Sequence, residues 1–441
     1  MQLLSFINYL ISIIFVVCYA YQFVYVPVVW FFRRRKEKKD QENMPPVVNH
    51  DYAALICARN ESAVIGDLID SLNAQTYPKE HLMVFVIADN CTDNTAEIAR
   101  NKGAVVYERF NTEKVGKGYA LEQLLLHIEE DYPGKYEGFF VFDADNLLEK
   151  DFVEQMNKSF CRGQEIITSY RNSKNFGSSW LSAGQGLWFL RESRYLNHAR
   201  YILNISGAVS GTGFLFSRKV YEEIGGWPYH LLTEDIEFSI DQIVKGRKVS
   251  FCPDAVLYDE QPVKFSQSWR QRARWSRGYL QVLRSHAIPL LKGIFKGSFS
   301  CFDELMNIAP AYFLTIVSII TNVLLSVIGL LYGDDPLIAL TSIGQMLVNL
   351  YFIAFAVGAI TTITEWKRIN EPVGKKILYT FTFPLFMFTF VPIAVAALFY
   401  KTSWKPITHT MSVEEMNKKK EKKKEKEKEK AEKRSGKKSG K

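Results

Sequence analysis

The sequence predicts an α/β domain built on a mostly parallel sheet and flanked by α-helical transmembrane segments, and three observations carry that expectation. From Asp51 onward, short apolar runs alternate with amphipathic helical stretches, as they do where helices join parallel strands. Acidic residues recur where the apolar runs end, at Glu61, Asp89 and Asp143, and open α/β sheets bind ligands outside the carboxyl ends of their strands. Long uncharged stretches lie on both sides, 4–32 before the domain and 308–332, 337–363 and 377–400 after it.

Length and charge narrow the class. A chain of 441 residues holds one soluble domain of about 230 to 250 residues beside such spans, because a single core seldom grows past about 250 to 300. The net charge of +8 is misleading, since residues 418–441 alone hold 14 Lys plus Arg against 5 Glu. The remaining chain is nearly neutral, which argues against a nucleic-acid-binding body. Six cysteines without a C-x-x-C pair suggest neither a zinc site nor a disulfide framework, and fit a reducing compartment.

Residues 4–32 are long enough to span a bilayer and too long for a signal-peptide core. Arg33-Arg34-Arg35-Lys36 follows at once, so the positive-inside rule places the domain after it on the cytoplasmic side of the plasma membrane. The domain is expected over 51–263. Tyr52–Ala58, Leu82–Ala88 and Phe139–Phe142 read as strands, residues 164–170 as another, and 178–203 as one long helix whose aromatics are core or membrane-facing. Gly116-Lys117-Gly118 opens a helix, and neither a Walker A nor a G-x-G-x-x-G pattern follows a strand, which removes the main support for ATP-hydrolysing or dinucleotide chemistry. Residues 264–300 form an amphipathic interfacial region in which Arg270, Arg277 and Arg284 meet lipid headgroups or solvent. Pro384 and Pro392 break 377–400 twice, so that segment either crosses or re-enters, and 413–441 is a disordered Lys/Glu-rich tail.

Candidate chemistry gathers between Ser210 and Trp275. Thr233 suits a helix N-cap whose hydroxyl accepts from the first turn, placing Glu234 and Asp235 inside that turn. The two carboxylates either complement the helix dipole or face a cleft, where one can take a proton from a hydroxyl. The helix start is expected to lower the Asp235 pKa. Gln271, Arg274 and Trp275 fall at i, i+3 and i+4 on one helical face. A guanidinium fork suits a diphosphate, and an indole offers a flat platform for a sugar ring. Asp143 and Asp145, two apart after a strand, can present hard oxygens to Mg²⁺ or Mn²⁺. For Glu61 and Asp89 a turn or capping role is the alternative, and for Gly211 and Gly213 an ordinary glycine turn. His198 and His230 read as structural.

Thr-Glu-Asp followed by Gln-x-x-Arg-Trp, behind Asp-x-Asp, resembles the membrane-bound family 2 glycosyltransferases, the group of cellulose, hyaluronan, chitin and poly-N-acetylglucosamine synthases. The resemblance covers roughly Asp51 to Arg284 and implies a GT-A type nucleotide-sugar-binding domain. It implies that Asp235 is the catalytic base and that Glu61, Asp89, Lys117, Asp143, Gln271 and Arg274 bind the nucleotide sugar, with Asp89 at the uridine. Gly211, Thr212, Glu234 and Trp275 are then acceptor contacts and Asp145 the metal ligand. The implied partners are a UDP-sugar donor, a glycan or lipid acceptor and the bilayer; no export or accessory protein is specified. The chain departs from cellulose synthases in having no Phe-x-Val-Thr gating motif. The alternatives are single-sugar transfer to a lipid and a non-catalytic nucleotide-sugar-binding scaffold.

Overall fold

A computed structural model describes residues 2–309 and 336–399, with scattered positions between 317 and 331. About half of the span expected at 308–332 therefore lies outside the described residues, and the tail at 413–441 entirely so.

Helix α1 (Gln2–Glu42) runs ten residues past the expected end of the first span. The pairs Arg33–Glu37 and Lys36–Asp40, at 3.5 and 2.8 Å, sit one helical turn apart and support the extension. The domain then alternates as expected: β1 (Tyr52–Ala58), α2 (Ile65–Asn73), β2 (Leu82–Asp89), α3 (Thr95–Asn101), β3 (Val105–Arg109), α4 (Lys117–Asp131) and β4 (Gly138–Asp143). These four strands are parallel. Beyond β4 the sheet becomes mixed, with β5 (Leu147–Leu148), β6 (Ile166–Ser173), β7 (Phe214–Ser217) and β8 (Val249–Asp259) giving the order β3-β2-β1-β4-β7-β6-β8-β5. Strand β7 runs antiparallel to both β4 and β6.

Near-continuous apolar strands are the reason the sheet is buried on both faces. Ala54, Ile56, Phe140 and Phe142 pack on the side of α2 and α5 (Phe152–Cys161), while Leu55, Phe85, Phe139 and Val141 pack on α4. Each fully buried Phe contributes about 1.5–3 kcal/mol. Register is thereby fixed, and with it the place where each strand delivers its acidic residue.

The helix expected over 178–203 is three pieces. A capping box of Ser179 and Ser182 starts α6 (Trp180–Arg191), a π-helical turn follows at Glu192–Asn197, and α7 (His198–Ile202) completes it. After β7 come α8 (Arg218–Ile224), α9 (Glu234–Val244), the 31-residue α10 (Phe265–Phe295) and α11 (Phe299–Ile308). Ile236 and Ile240 of α9 share an apolar cluster with Val282 and Leu290 of α10 and Leu305 of α11.

Three helices are long and apolar enough to cross a membrane among the described residues, over Val16–Glu42, Leu347–Thr364 and Val373–Phe399. The second is the end of α12 (Pro336–Thr364). The third is α13 (Val373–Phe388) followed by α14 (Phe390–Phe399). Its single break falls at Thr389 rather than at the two prolines. Pro392 is the third residue of α14, where a helix leaves amides unbonded anyway, and a missing N–H there disturbs nothing.

Helix α1 is tied to the domain by a buried charge cluster. Arg200 of α7 donates to both carboxylate oxygens of Asp303 in α11, at 2.7 and 3.1 Å, and the Tyr21 and Tyr25 hydroxyls of α1 donate to the same group at 2.6 and 2.9 Å.

Candidate active site

The sheet places one side of the site at its carboxyl edge. Asp143 ends β4, and Lys117, the first residue of α4, donates to it at 2.5 Å and to the Gly211 carbonyl at 2.6 Å. Burial works against the Lys117 charge, but the Asp143 and Glu234 carboxylates outweigh it and hold the ammonium above its ordinary range. The close fit of α4 depends on Gly118: a Cβ there would come within 2.1 Å of the Tyr229 carbonyl oxygen. Asp89 ends β2 and is buried, paired at 2.6 Å with Arg109 from the end of β3. The Arg109 guanidinium also donates to the Lys114 carbonyl at 2.6 Å.

Asp145 is buried and accepts from the Glu260 amide at 3.0 Å and from the Asn146 side chain at 3.3 Å. It lies in an acidic neighbourhood. Glu61 is pushed up to about 9 by burial and then by Asp145, Asp143 and Glu260. Asp259 is likewise raised by burial and the Asp145 charge, against the pull of Arg171. Hard oxygen donors with more negative charge than the surroundings neutralise suit a divalent cation. Among the described residues no three His, Cys, Asp or Glu side chains stand close enough to enclose a metal ion unaided. A cation here would complete its shell with oxygens from outside the protein, such as those of a diphosphate.

The other side of the site comes from α9 and α10. Glu234 and Asp235 are buried in the first turn of α9. The Ile236 and Gly211 amides bond the Asp235 carboxylate and Lys117 and Arg274 draw it down, yet burial prevails and its pKa is raised. The helix start does not win, contrary to the expectation from the sequence. Glu234 is raised too, by burial and then by Asp235. Thr233 does stand at the N-cap position, but its buried hydroxyl makes no capping bond. The Thr233 side chain instead lies against α10 at Gly278, where a Cβ would approach it to 2.5 Å.

Gln271, Arg274 and Trp275 are all partly exposed. The Gln185 amide donates to Gln271 at 2.9 Å, Arg274 donates to the Leu232 carbonyl at 2.7 Å, and Trp275 meets Phe189 edge-on with centroids 6.1 Å apart. Gly211 is where the two sides meet. A Cβ at that position would lie 3.8 Å from Oδ2 of Asp235 and 3.9 Å from Oδ2 of Asp143. Beneath it, the Cys57 thiol feels Lys117, Glu234, Asp143 and Asp89 together, and burial above all drives it up to about 12.

Thr212 lies in the same turn as Gly211, beside the end of β4. Its hydroxyl accepts from the Asp143 amide at 2.8 Å and bonds Asn146, so it fixes the end of β4. His230 stacks on Tyr119 at 4.1 Å and pairs with Glu122, and His198 is buried beside Phe251; both are structural.

Several supporting residues escape a reading of motifs. Arg109 orients Asp89, Asn146 fixes Thr212, and Arg171 pairs with Asp259 while donating to the Ser210 carbonyl at 2.8 Å. The alternation of Val105–Arg109 is the one local signal that could have revealed Arg109.

An acidic strand-end rim and a buried carboxylate meeting over a glycine turn, on a mixed sheet of this order, define a glycosyltransferase with a GT-A fold. The sequence profile described as Glycosyltransferase like family 2 matches residues 50–278, more than half the chain, and the protein belongs to that family. It is similar to "Probable glycosyltransferase YdaM" of Bacillus subtilis (strain 168), 25% identical over 343 residues, 73% of this chain and 74% of that one. It is 26% identical over 261 residues to the beta-monoglucosyldiacylglycerol synthase of Synechocystis sp. (strain ATCC 27184 / PCC 6803 / Kazusa), 56% of this chain and 53% of that one. To the poly-beta-1,6-N-acetyl-D-glucosamine synthase of Staphylococcus aureus (strain COL) it is 25% identical over 275 residues, 59% of this chain and 64% of that one. The chain thus spans less than two thirds of the latter two. Among solved structures, the mannosyltransferase PcManGT from Pyrobaculum calidifontis, in complex with GDP-Man and Mn²⁺, superposes with a TM-score of 0.52 at 16% identity, covering 89% of this chain and 100% of that one. That likeness shows the fold.

Proposed function

We propose that the protein is a membrane-embedded inverting hexosyltransferase, moving a sugar from UDP-glucose or UDP-N-acetylglucosamine to a growing β-linked polysaccharide on the cytoplasmic side of the plasma membrane. The observation that supports this most is the convergence of Asp143 and Asp235 over Gly211. A base and a diphosphate-binding edge then flank one point, where the donor sugar would lie.

In this reading Asp89, oriented by Arg109, contacts the uridine, while Glu61 and Lys117 border the donor. Asp145, with Asp143 beside it, would hold Mg²⁺ or Mn²⁺. When bound, such an ion neutralises charge on the diphosphate. Asp235 accepts the proton of an acceptor hydroxyl as that oxygen bonds to the anomeric carbon, and the bond from that carbon to the diphosphate breaks, its electron pair leaving with UDP. One displacement converts an α-linked donor into a β-linked product. Lys117 and Arg274, with Gln271, face the departing charge. Gly211, Thr212, Glu234 and Trp275 border the acceptor, the indole as platform, and Thr212 also holds the Asp143 backbone in place. The raised pKa of Asp235 suits a base, which works best near the operating pH.

Transfer of a single sugar to a lipid is the second reading, supported by the similarity to the monoglucosyldiacylglycerol synthase. Purified protein in detergent should release UDP with one donor of a panel, should stop when EDTA is added, and should recover with excess Mg²⁺ or Mn²⁺. With labelled donor, a ladder or high polymer on a gel supports the polysaccharide and a single lipid-soluble product the glycolipid. A protein that releases no UDP with any donor is no transferase of this kind.

A further inference from the structure

Arg272 is the member of the Gln271–Trp275 turn that turns away from the site. It is completely buried. Its guanidinium lies against the Phe386 and Phe390 rings, 4.6 and 4.7 Å from their centroids, and donates to the Thr389 hydroxyl at 2.6 Å and to the Ser268 carbonyl at 3.3 Å. One terminal nitrogen, Nη2, is buried without a hydrogen-bond partner. No carboxylate pairs with Arg272 among the described residues, and burial alone pushes the guanidinium down to about 10.

A buried cation without a counter-ion is costly, and an apolar side chain of the same volume would be easier to accommodate. The contacts indicate what the charge does. Phe386 and Phe390 stand on either side of Thr389, the residue where α13 gives way to α14. Two aromatic rings against one guanidinium add cation–π attraction that an apolar residue cannot supply. The Thr389 hydroxyl donates in turn to the Phe386 carbonyl at 2.6 Å. Phe386 also presses on α6 so closely that a Cβ at Gly184 would come within 2.4 Å of its ring. The residue after Gly184 is Gln185, which holds Gln271, and one turn further along α6 Phe189 meets Trp275.

We infer that Arg272 is a positioning residue: through Thr389 and the two rings it pins the break between α13 and α14 to α10, and so sets where Gln271, Arg274 and Trp275 stand against the sugar. The inference rests on the reading of Trp275 as the acceptor platform. The donor edge at Asp89, Asp143 and Lys117 hangs on the sheet and does not depend on this pin. Loosening it misplaces the acceptor and the Gln271 and Arg274 contacts to the diphosphate while the sheet-held edge stays, so that more of the activated sugar is lost to water.

The full-length protein in lipid nanodiscs carries the test, with Arg272→Met, Thr389→Val and the conservative Thr389→Ser. Sugar transferred per UDP released should fall about 10-fold in the first two, since misplacement by about 1 Å can cost as much as 10²-fold. The KM for the donor should rise by less than the transfer ratio falls, because the contacts at the sheet edge are kept, and Thr389→Ser should keep the wild-type ratio. Hydrogen exchange gives an activity-independent reading: in Arg272→Met, segments 271–275 and 385–392 should gain exchange together while β1 and β4 do not change. Transfer and UDP release falling in parallel, or exchange rising at 385–392 alone, would overturn the pin. A wild-type protein without UDP release would instead count against the proposed reaction, leaving the exchange result to decide the pin.

Discussion

Asp89 and Asp143 end strands whose neighbours pair with them along their length, and a shift of one residue would bury the wrong face of the strand. Glu234, Asp235, Gln271, Arg274 and Trp275 stand on two helices whose outer sides lean on α6, α11 and the α13–α14 pair. The sheet edge is therefore held by the domain core, and the α9–α10 face by contacts with α6, α11 and the apolar α13–α14 pair. The contrast teaches that the two sides of the site are positioned independently, so damage to one should leave the other measurable.

The strongest way to break the comparison is at the base. Asp235→Asn should lower transfer about 10³-fold, within the 10²- to 10⁴-fold range of general-base catalysis, while UDP affinity by calorimetry is unchanged; a variant with most of its turnover would mean that another group takes the proton. Next comes the buried cluster beneath α11. Asp303→Asn leaves Arg200 without its main partner and should cost about 3 kcal/mol of stability, seen as a lower Tm in detergent. UDP affinity measured below that Tm should hold, and a loss of it would show that the two sides are not independent.

The smallest effect is in the pH profile. Below its pKa the Asp235 carboxyl is protonated and cannot accept, so kcat/KM falls as pH falls. Because burial raises that pKa, the acid limb should lie above the ordinary Asp value of about 3.9. The limb should vanish from the residual activity of Asp235→Asn, and persistence of the same limb would assign it to Glu234 or Glu61.

The contrast also governs what could be read from the chain alone. Strands β1, β2 and β4 were legible because four or more consecutive apolar residues are followed by an acidic one, at once in β2 and β4 and three positions on in β1, and the resemblance then assigned those acids. Trp275 and Arg274 were legible as a helical face. What surrounds them was not: the partners of Asp89, Thr212 and Arg272 lie 20, 66 and 117 positions away, and no local period records such pairs. Thr233 misled because a hydroxyl at an N-cap position usually accepts from the first turn, whereas here the close approach of α10 takes up the side chain. Asp235 misled because the helix start is visible in sequence and the depth of burial is not.

The cluster of Tyr21, Tyr25, Arg200 and Asp303 has a practical corollary. Residues 50–278 look like an excisable enzyme, yet removal of α1 and α11 would uncover Tyr195, Leu196 and Ala199 and take away the Asp303 carboxylate that pairs with Arg200. Anyone trimming this chain to a soluble fragment should expect precipitation, and should begin instead by keeping the first helix attached.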